Sequence, residues 1–121
     1  QSPYCIDLTG YTRTIMELIT LLHFGSILIT NDGGPGHFAS LTSIPTIIFF
    51  GPETPTLYAP LSENAVSLHV PLPCSPCLTA YNHRNSPCDG NNACLKAISP
   101  EEVFDKACEL LKIDTITPII L

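Results

Sequence analysis

A chain of 121 residues, 45% apolar and 13% charged, is sized for one domain or a piece of one, and carries about half the usual share of charge. The formal net charge of −6, with five scattered Lys and Arg, excludes the basic stripe of a nucleic-acid binder. No apolar run reaches the roughly 18 residues of a membrane-spanning helix, and no signal peptide opens the chain.

A surface this poor in charge is expected to be partly covered. Gln1-Ser2-Pro3 lacks an initiator Met and runs at once into Cys5-Ile6-Asp7-Leu8. Both features point to a missing N-terminal part. Six cysteines without a secretion signal make a reducing compartment the default, where clustered thiols bind metal or stay free more often than they pair.

In chain order, residues 5–8 read as a short strand or strand end, and Thr9-Gly10 as the turn after it. Thr14-Ile15-Met16-Glu17 is a capping box. Ile15, Met16, Leu18, Ile19, Leu21 and Leu22 make the helix that follows apolar around most of its circumference, as expected of one covered on more than one side. Gly25 is its expected C-cap. A strand over 27–30 leads into Asn31-Asp32-Gly33-Gly34-Pro35-Gly36-His37 and a short helix over about 36–42. Strand, glycine-rich turn and helix N-terminus is a common phosphate cradle, because glycines let backbone N–H groups approach an anion and the helix dipole favours negative charge.

Thr46-Ile47-Ile48-Phe49-Phe50 reads as a strand buried on both faces, turned at Gly51-Pro52. Residues 65–70 alternate like another strand. Residues 71–98 are irregular and rich in Pro, Cys and Asn. Ser99-Pro100-Glu101-Glu102 opens a helix over 99–113 with core face Val103, Phe104, Ala107, Cys108 and Leu111, followed by an apolar tail over 114–121. Strands alternating with helices give an α/β fold, a parallel sheet with helices on both faces. Ligands bind beyond the carboxyl ends of such strands. The loops at Thr9-Gly10, 31–37 and 51–53 are therefore expected to line one crevice.

Cys74-x2-Cys77, Cys88 and Cys94 place four sulfurs within a short segment, enough for a tetrahedral Zn²⁺ site. The second pair is spaced more widely than the usual knuckle. Two disulfides, or free thiols packing an irregular loop, are the alternatives. In each case the cysteines hold a long loop that lacks its own core. Cys5 and Cys108 read as packing residues.

Asp7-Leu8-Thr9-Gly10, Thr30 through His37, and Phe50-Gly51-Pro52-Glu53-Thr54-Pro55, in that order, resemble the C-terminal half of glycosyltransferase family nine, the lipopolysaccharide heptosyltransferases. Cys74-Ser75-Pro76-Cys77 and the segment 98–103 resemble the family's downstream stretches. The resemblance covers roughly residues 5–112. It implies a two-domain GT-B fold, of which this chain is the Rossmann-like donor-binding domain: a core over 5–70, the Cys-rich loop, the helix and the tail. The acceptor domain, which supplies the general base, is absent from the chain. The donor implied is ADP-heptose, the acceptor a lipid-linked sugar of the lipopolysaccharide core. The place implied is the cytoplasm or the cytosolic face of the inner membrane. No donor-bound metal is required; transfer proceeds with inversion, the leaving nucleotide stabilised by the helix N-terminus.

On the same resemblance, Asp32 takes hydrogen bonds from donor-sugar hydroxyls, where the alternative is an Asx turn capping the next helix. Gly33, Gly34, Pro35 and Gly36 bring backbone to the diphosphate, where the alternative is a tight turn needing positive φ. His37 meets a phosphate oxygen or the sugar, against a purely structural histidine. Thr9 and Gly10 touch the nucleotide, or form a plain turn. Gly51 and Pro52 line the crevice with Glu53 near the ribose, or merely turn the chain. His69 and His83 carry no signal. The family's Ser or Thr after the motif Asp is Gly33 here, so a hydroxyl donor is lost and the bare N–H remains. The competing functions are a non-catalytic nucleotide- or anion-binding module and a Cys-rich metal or redox module.

Overall fold

The computed structural model describes residues 3–82, 85–86 and 88–113; the expected tail over 114–121 and His83 lie outside them. Three strands form one sheet in the order β1 (Leu28–Asn31), β2 (Thr46–Phe50), β3 (Ala65–His69). All pairing is parallel, with Leu28 opposite Thr46 and Thr46 opposite Ala65. The central strand is the dry core: Thr46, Ile47, Ile48 and Phe50 are at most 2% exposed. The unbroken β-branched and aromatic run predicted this burial on both faces, since such side chains fit a pleated surface with no polar side to present. Burying each of the Ile47, Ile48 and Phe50 side chains stabilises the fold by about 1.5–3 kcal/mol.

Side chains alternate along a strand, so odd and even residues point to opposite layers. The face of even residues in β1 and β2 (odd in β3) meets α2 (Gly34–Ala39): a Cβ on Gly36 would lie 3.0 Å from Ile48 Cδ1 and 3.5 Å from Thr30 Cγ2. Behind it, α1 (Ile15–Leu22) joins a cluster of Leu22, Ala39 and Ile44, packed against Leu18 and Leu28. The odd face takes two later helices, α4 (Ala93–Lys96) and α5 (Pro100–Leu111). Ile29 and Phe49 line an open apolar groove there with Val103, Phe104 and Ala107. Helices on both faces of a parallel sheet is the architecture read from the sequence. A four-residue helix, α3 (Pro55–Tyr58), capped by Thr54, was not anticipated. No described helix is long and apolar enough to cross a membrane.

The helix starts follow their caps. Glu17 N–H donates to Thr14 Oγ1 and Thr14 N–H to Glu17 Oε2, the two halves of the predicted box. Glu102 N–H donates to Ser99 Oγ, with Pro100 first in α5.

Several expectations fail. Residues 5–8 form no strand: none pairs with the described sheet, Ile6 is 83% exposed, and Asp7 folds back to accept from Thr9 N–H at 2.8 Å. A short apolar segment needs a partner edge to become a strand, and here a local side-chain bond competes. Gly25 is not a C-cap. Helix α1 ends at Leu22 with His23 in the right-handed region. The need for glycine at 25 is instead close approach, since a Cβ would meet Ile44 Cδ1 at 2.8 Å. Only one side of α1 is covered, leaving Ile15 and Met16 exposed. Phe104, expected on the core face of α5, is exposed at the rim of the odd-face groove, while Cys108 is buried. The short helix α2 starts two residues earlier than read and stops at Ala39.

Candidate functional site

The β1 ladder runs one step past the strand, with Asp32 N–H donating to Phe49 O at 3.0 Å. Gly33 follows in extended conformation (φ 163°, ψ −174°) and is the N-cap of α2, which no side chain caps. Pro35 in the first turn lacks an N–H that would have no intrahelical acceptor anyway. That leaves the amides of Gly34 and Gly36 at the positive end of α2 without intrahelical partners. Asp32 is half-buried at the mouth of this turn, and His37, one residue into the helix after Gly36, is exposed.

The glycines differ in what requires them. None of Gly33, Gly34 and Gly36 occupies the left-handed region, so the tight-turn alternative does not hold for them. Gly36 is buried and lets α2 lie on the sheet. At Gly33 the nearest atom to an added Cβ is Pro35 Cδ at 4.0 Å, and at Gly34 it is the Phe38 ring at 3.3 Å. Gly34 is exposed and Gly33 half-buried.

At the end of β2 the same strand-end position is closed by the chain itself. Gly51 is buried, and a Cβ there would lie 2.8 Å from Leu95 Cγ and 2.9 Å from Cys94 Sγ. Its carbonyl accepts from Ser75 Oγ at 2.6 Å. Pro52 O accepts from Cys77 N–H at 2.8 Å and Leu78 N–H at 2.9 Å. Glu53, expected near a ribose, is buried. Gly51 and Pro52 thus anchor the Cys-rich segment.

Two residues here were passed over in the sequence. His69, the last residue of β3, has Nε2 3.3 Å from Ser75 Oγ. The Ser75 proton is directed at Gly51 O, so Ser75 accepts from His69 Nε2–H. Neither His69 nor buried Ser75 carries a signal in the sequence for this pairing.

Thr9 and Gly10 are exposed. Gly10 takes φ +75° in a turn closed by Tyr11 N–H to Leu8 O at 2.9 Å, the positive φ that type II turns require at this position. Without a strand before them, they do not sit at a strand end. The Thr9 hydroxyl, then its amide, hold the Asp7 carboxyl below the usual carboxylate range.

Cys74, Cys77, Cys88 and Cys94 line one pocket of about 340 Å³ with Asp89 and Asn91. All are free thiols. Ser86 Oγ donates to Cys77 Sγ at 3.1 Å. Hydrogen bonds from the backbone of Asn92 and then Gly90 hold the exposed Cys88 thiol below its ordinary pKa. Among the described residues, no three Cys, His, Asp or Glu side chains are gathered in a metal-holding arrangement.

Residues 1–86 match the family model described as glycosyltransferase family 9 (heptosyltransferase). Lipooligosaccharide heptosyltransferase 2 of Campylobacter jejuni serotype O:2 is 35% identical over 100 residues, covering 82% of this chain and 30% of that protein. Lipopolysaccharide heptosyltransferase 2 of Escherichia coli K12 is 26% identical over 113 residues, covering 92% and 30%. In fold, the chain is similar to the solved structure of E. coli ADP-heptose lps heptosyltransferase II, with a TM-score of 0.71 at 24% identity over 90% of this chain and 28% of that one. It is also similar to a glycosyl transferase family 9 protein from Veillonella parvula, with a TM-score of 0.60 at 27% identity over 83% and 28%. The chain spans about 30% of the length of the curated relatives it matches. Its sequence and its fold agree, and the chain belongs to glycosyltransferase family 9.

Proposed function

We propose that this chain forms the donor-binding part of a glycosyltransferase that moves heptose from ADP-heptose to a lipopolysaccharide core acceptor. The observation that carries the reading is the uncapped, open N-terminus of α2 directly after β1, beside Asp32. In this reading the Gly34 and Gly36 amides hold the diphosphate, and the same amides stabilise the charge that develops on the leaving nucleotide. Asp32 accepts from sugar hydroxyls, and His37 reaches a phosphate oxygen or the sugar. The acceptor in this reading is a lipid-linked sugar, and the general base belongs to an acceptor-binding domain. The reaction belongs in the cytoplasm or at the cytosolic face of the inner membrane, where a nucleotide-activated sugar is available.

What supports the reading is the combination of family membership, the heptosyltransferase relatives and a turn with free donors and a neighbouring carboxylate. Thermal-shift titration with ADP-heptose and with ADP tests it, using Asp32→Ala as control. A ligand at about 100 times its Kd stabilises by about 2.7 kcal/mol, a shift that is easily read. The expected result is a saturable rise with both ligands, larger for ADP-heptose, whose excess over ADP Asp32→Ala removes. Equal shifts with the two ligands in the unmodified chain and in Asp32→Ala would sink the sugar-contact role. A saturating response without transfer, once the chain is joined to an acceptor domain, would leave a nucleotide-binding module.

A further inference from the structure

We propose that Cys74, Cys77, Cys88 and Cys94 form a structural zinc site that clamps the 71–98 segment over the end of β2. The inference does not depend on the donor reading, since it concerns a different strand end and different side chains.

The cysteines of this chain are partitioned. Cys5 is exposed near the start of the chain and Cys108 is buried in α5, while the other four line a single pocket. The backbone that carries them is already fixed at two points. Cys77 is tied by its N–H to Pro52 O, and the turn between Cys74 and Cys77 by Ser75 Oγ to Gly51 O. Cys94 is buried in α4, its sulfur against Gly51. Cys74 and Cys88 are exposed on the open side of the pocket.

The segment needs such a clamp. Across 71–98 the described helices are a three-residue 3₁₀ turn and the four-residue α4, and among the described residues only Ser75 and Cys94 are buried. A segment with so little apolar burial stays ordered only if something else ties it down.

The pocket and its thiols match the chemistry of Zn²⁺. Four sulfurs satisfy tetrahedral coordination, and the Cys-x2-Cys turn is the usual half of such a site. Four protein ligands leave no open position for water or substrate, so the site is structural. The four sulfurs do not meet at a common point, and Cys77 Sγ accepts from Ser86 Oγ. Neutral thiols have no mutual attraction that would gather them. On binding, each of the four S–H groups gives its proton to solvent and forms an S–Zn bond, so one Zn²⁺ displaces four protons. Exposed Cys74 and Cys88 then swing inward onto the anchored Cys77 and Cys94, with no oxidant or reductant required.

The test is zinc content and Co²⁺ substitution on the full chain, purified reduced and without chelator. The expected result is one zinc per chain, and a thiolate-to-cobalt charge-transfer band with tetrahedral visible absorption after exchange. Cys74→Ser and Cys88→Ser, both at exposed positions, should lose the bound zinc and alter the cobalt spectrum while far-ultraviolet circular dichroism holds. Cys5→Ser should change neither. A chelator should lower the melting temperature of the unmodified chain and leave that of Cys74→Ser unmoved. Zinc-free protein whose reduced form gives no cobalt charge-transfer band would overturn the proposal. So would stoichiometric zinc retained by both serine variants, or disulfides among these four cysteines in protein isolated with thiols trapped at lysis.

Discussion

The loops leaving β1 and β2 begin at equivalent places, the carboxyl ends of neighbouring parallel strands, and end in opposite conditions. After β1, an extended Gly33 hands the chain to a helix whose first amides meet no capping side chain among the described residues. After β2, Gly51 O and Pro52 O are both taken by the 71–98 segment, and Gly51 has no room even for a methyl group. The strand-end rule finds both loops. What separates a ligand site from an anchoring point is which backbone groups the rest of the chain has already satisfied. Glycine content does not separate them either: Gly36 and Gly51 are both required by packing, whereas Gly33 faces open space.

The largest effect is expected on the closed side. Gly51→Ala puts a methyl within 3 Å of Leu95 Cγ and Cys94 Sγ. Leu95 Cγ is a branch point rather than a flexible tip, so relief requires α4 to move. The cost should fall at the upper end of the roughly 1–3 kcal/mol typical of overpacking, read from urea unfolding followed by circular dichroism. Ser75→Ala comes next. It leaves the buried Gly51 carbonyl without its donor and His69 without its acceptor, which costs about 1–2 kcal/mol. The same variant should release the His69 ring from the Nε2–H tautomer, visible in imidazole ¹⁵N shifts. A Ser75→Ala protein of unchanged stability and unchanged tautomer would mean that the β2 end is not sealed in this way.

Much of this contrast was legible beforehand, and the rest was not for identifiable reasons. The central strand was readable because five consecutive β-branched and aromatic residues leave no polar face to solvate. The caps of α1 and α5 were readable because a hydroxyl three residues before a carboxylate solves a local hydrogen-bonding problem whatever the tertiary context. The phosphate-cradle turn was readable from its glycines, but their individual reasons were not, because close approach at Gly36 and open space at Gly33 depend on where α2 lies over Ile48. Residues 5–8 read as a short strand or strand end, and the structure gives them none because pairing is a long-range fact. Gly51 and Pro52 read as crevice residues because nothing local announces a carbonyl acceptor for an N–H 25 residues away; Ser75 is silent for the same reason.

The smallest effect on stability is expected at Gly33, and it sharpens the comparison most. Its extended backbone is accessible to any residue, and the nearest atom to an added methyl is 4.0 Å away. Gly33→Ala should therefore unfold within about 0.5 kcal/mol of the unmodified chain. If the loop after β1 is the open one, the methyl instead intrudes on whatever approaches the Gly34 amide, and the thermal shift given by ADP should shrink although no hydrogen-bonding group has been removed. Gly36→Ala is the internal control: its methyl meets Ile48 Cδ1 at 3.0 Å, so it should lose stability before ligand is added. A Gly33→Ala chain destabilised as much as Gly51→Ala would show that the loop after β1 is packed as tightly as the one after β2, and the distinction between an open and a sealed strand end would be lost.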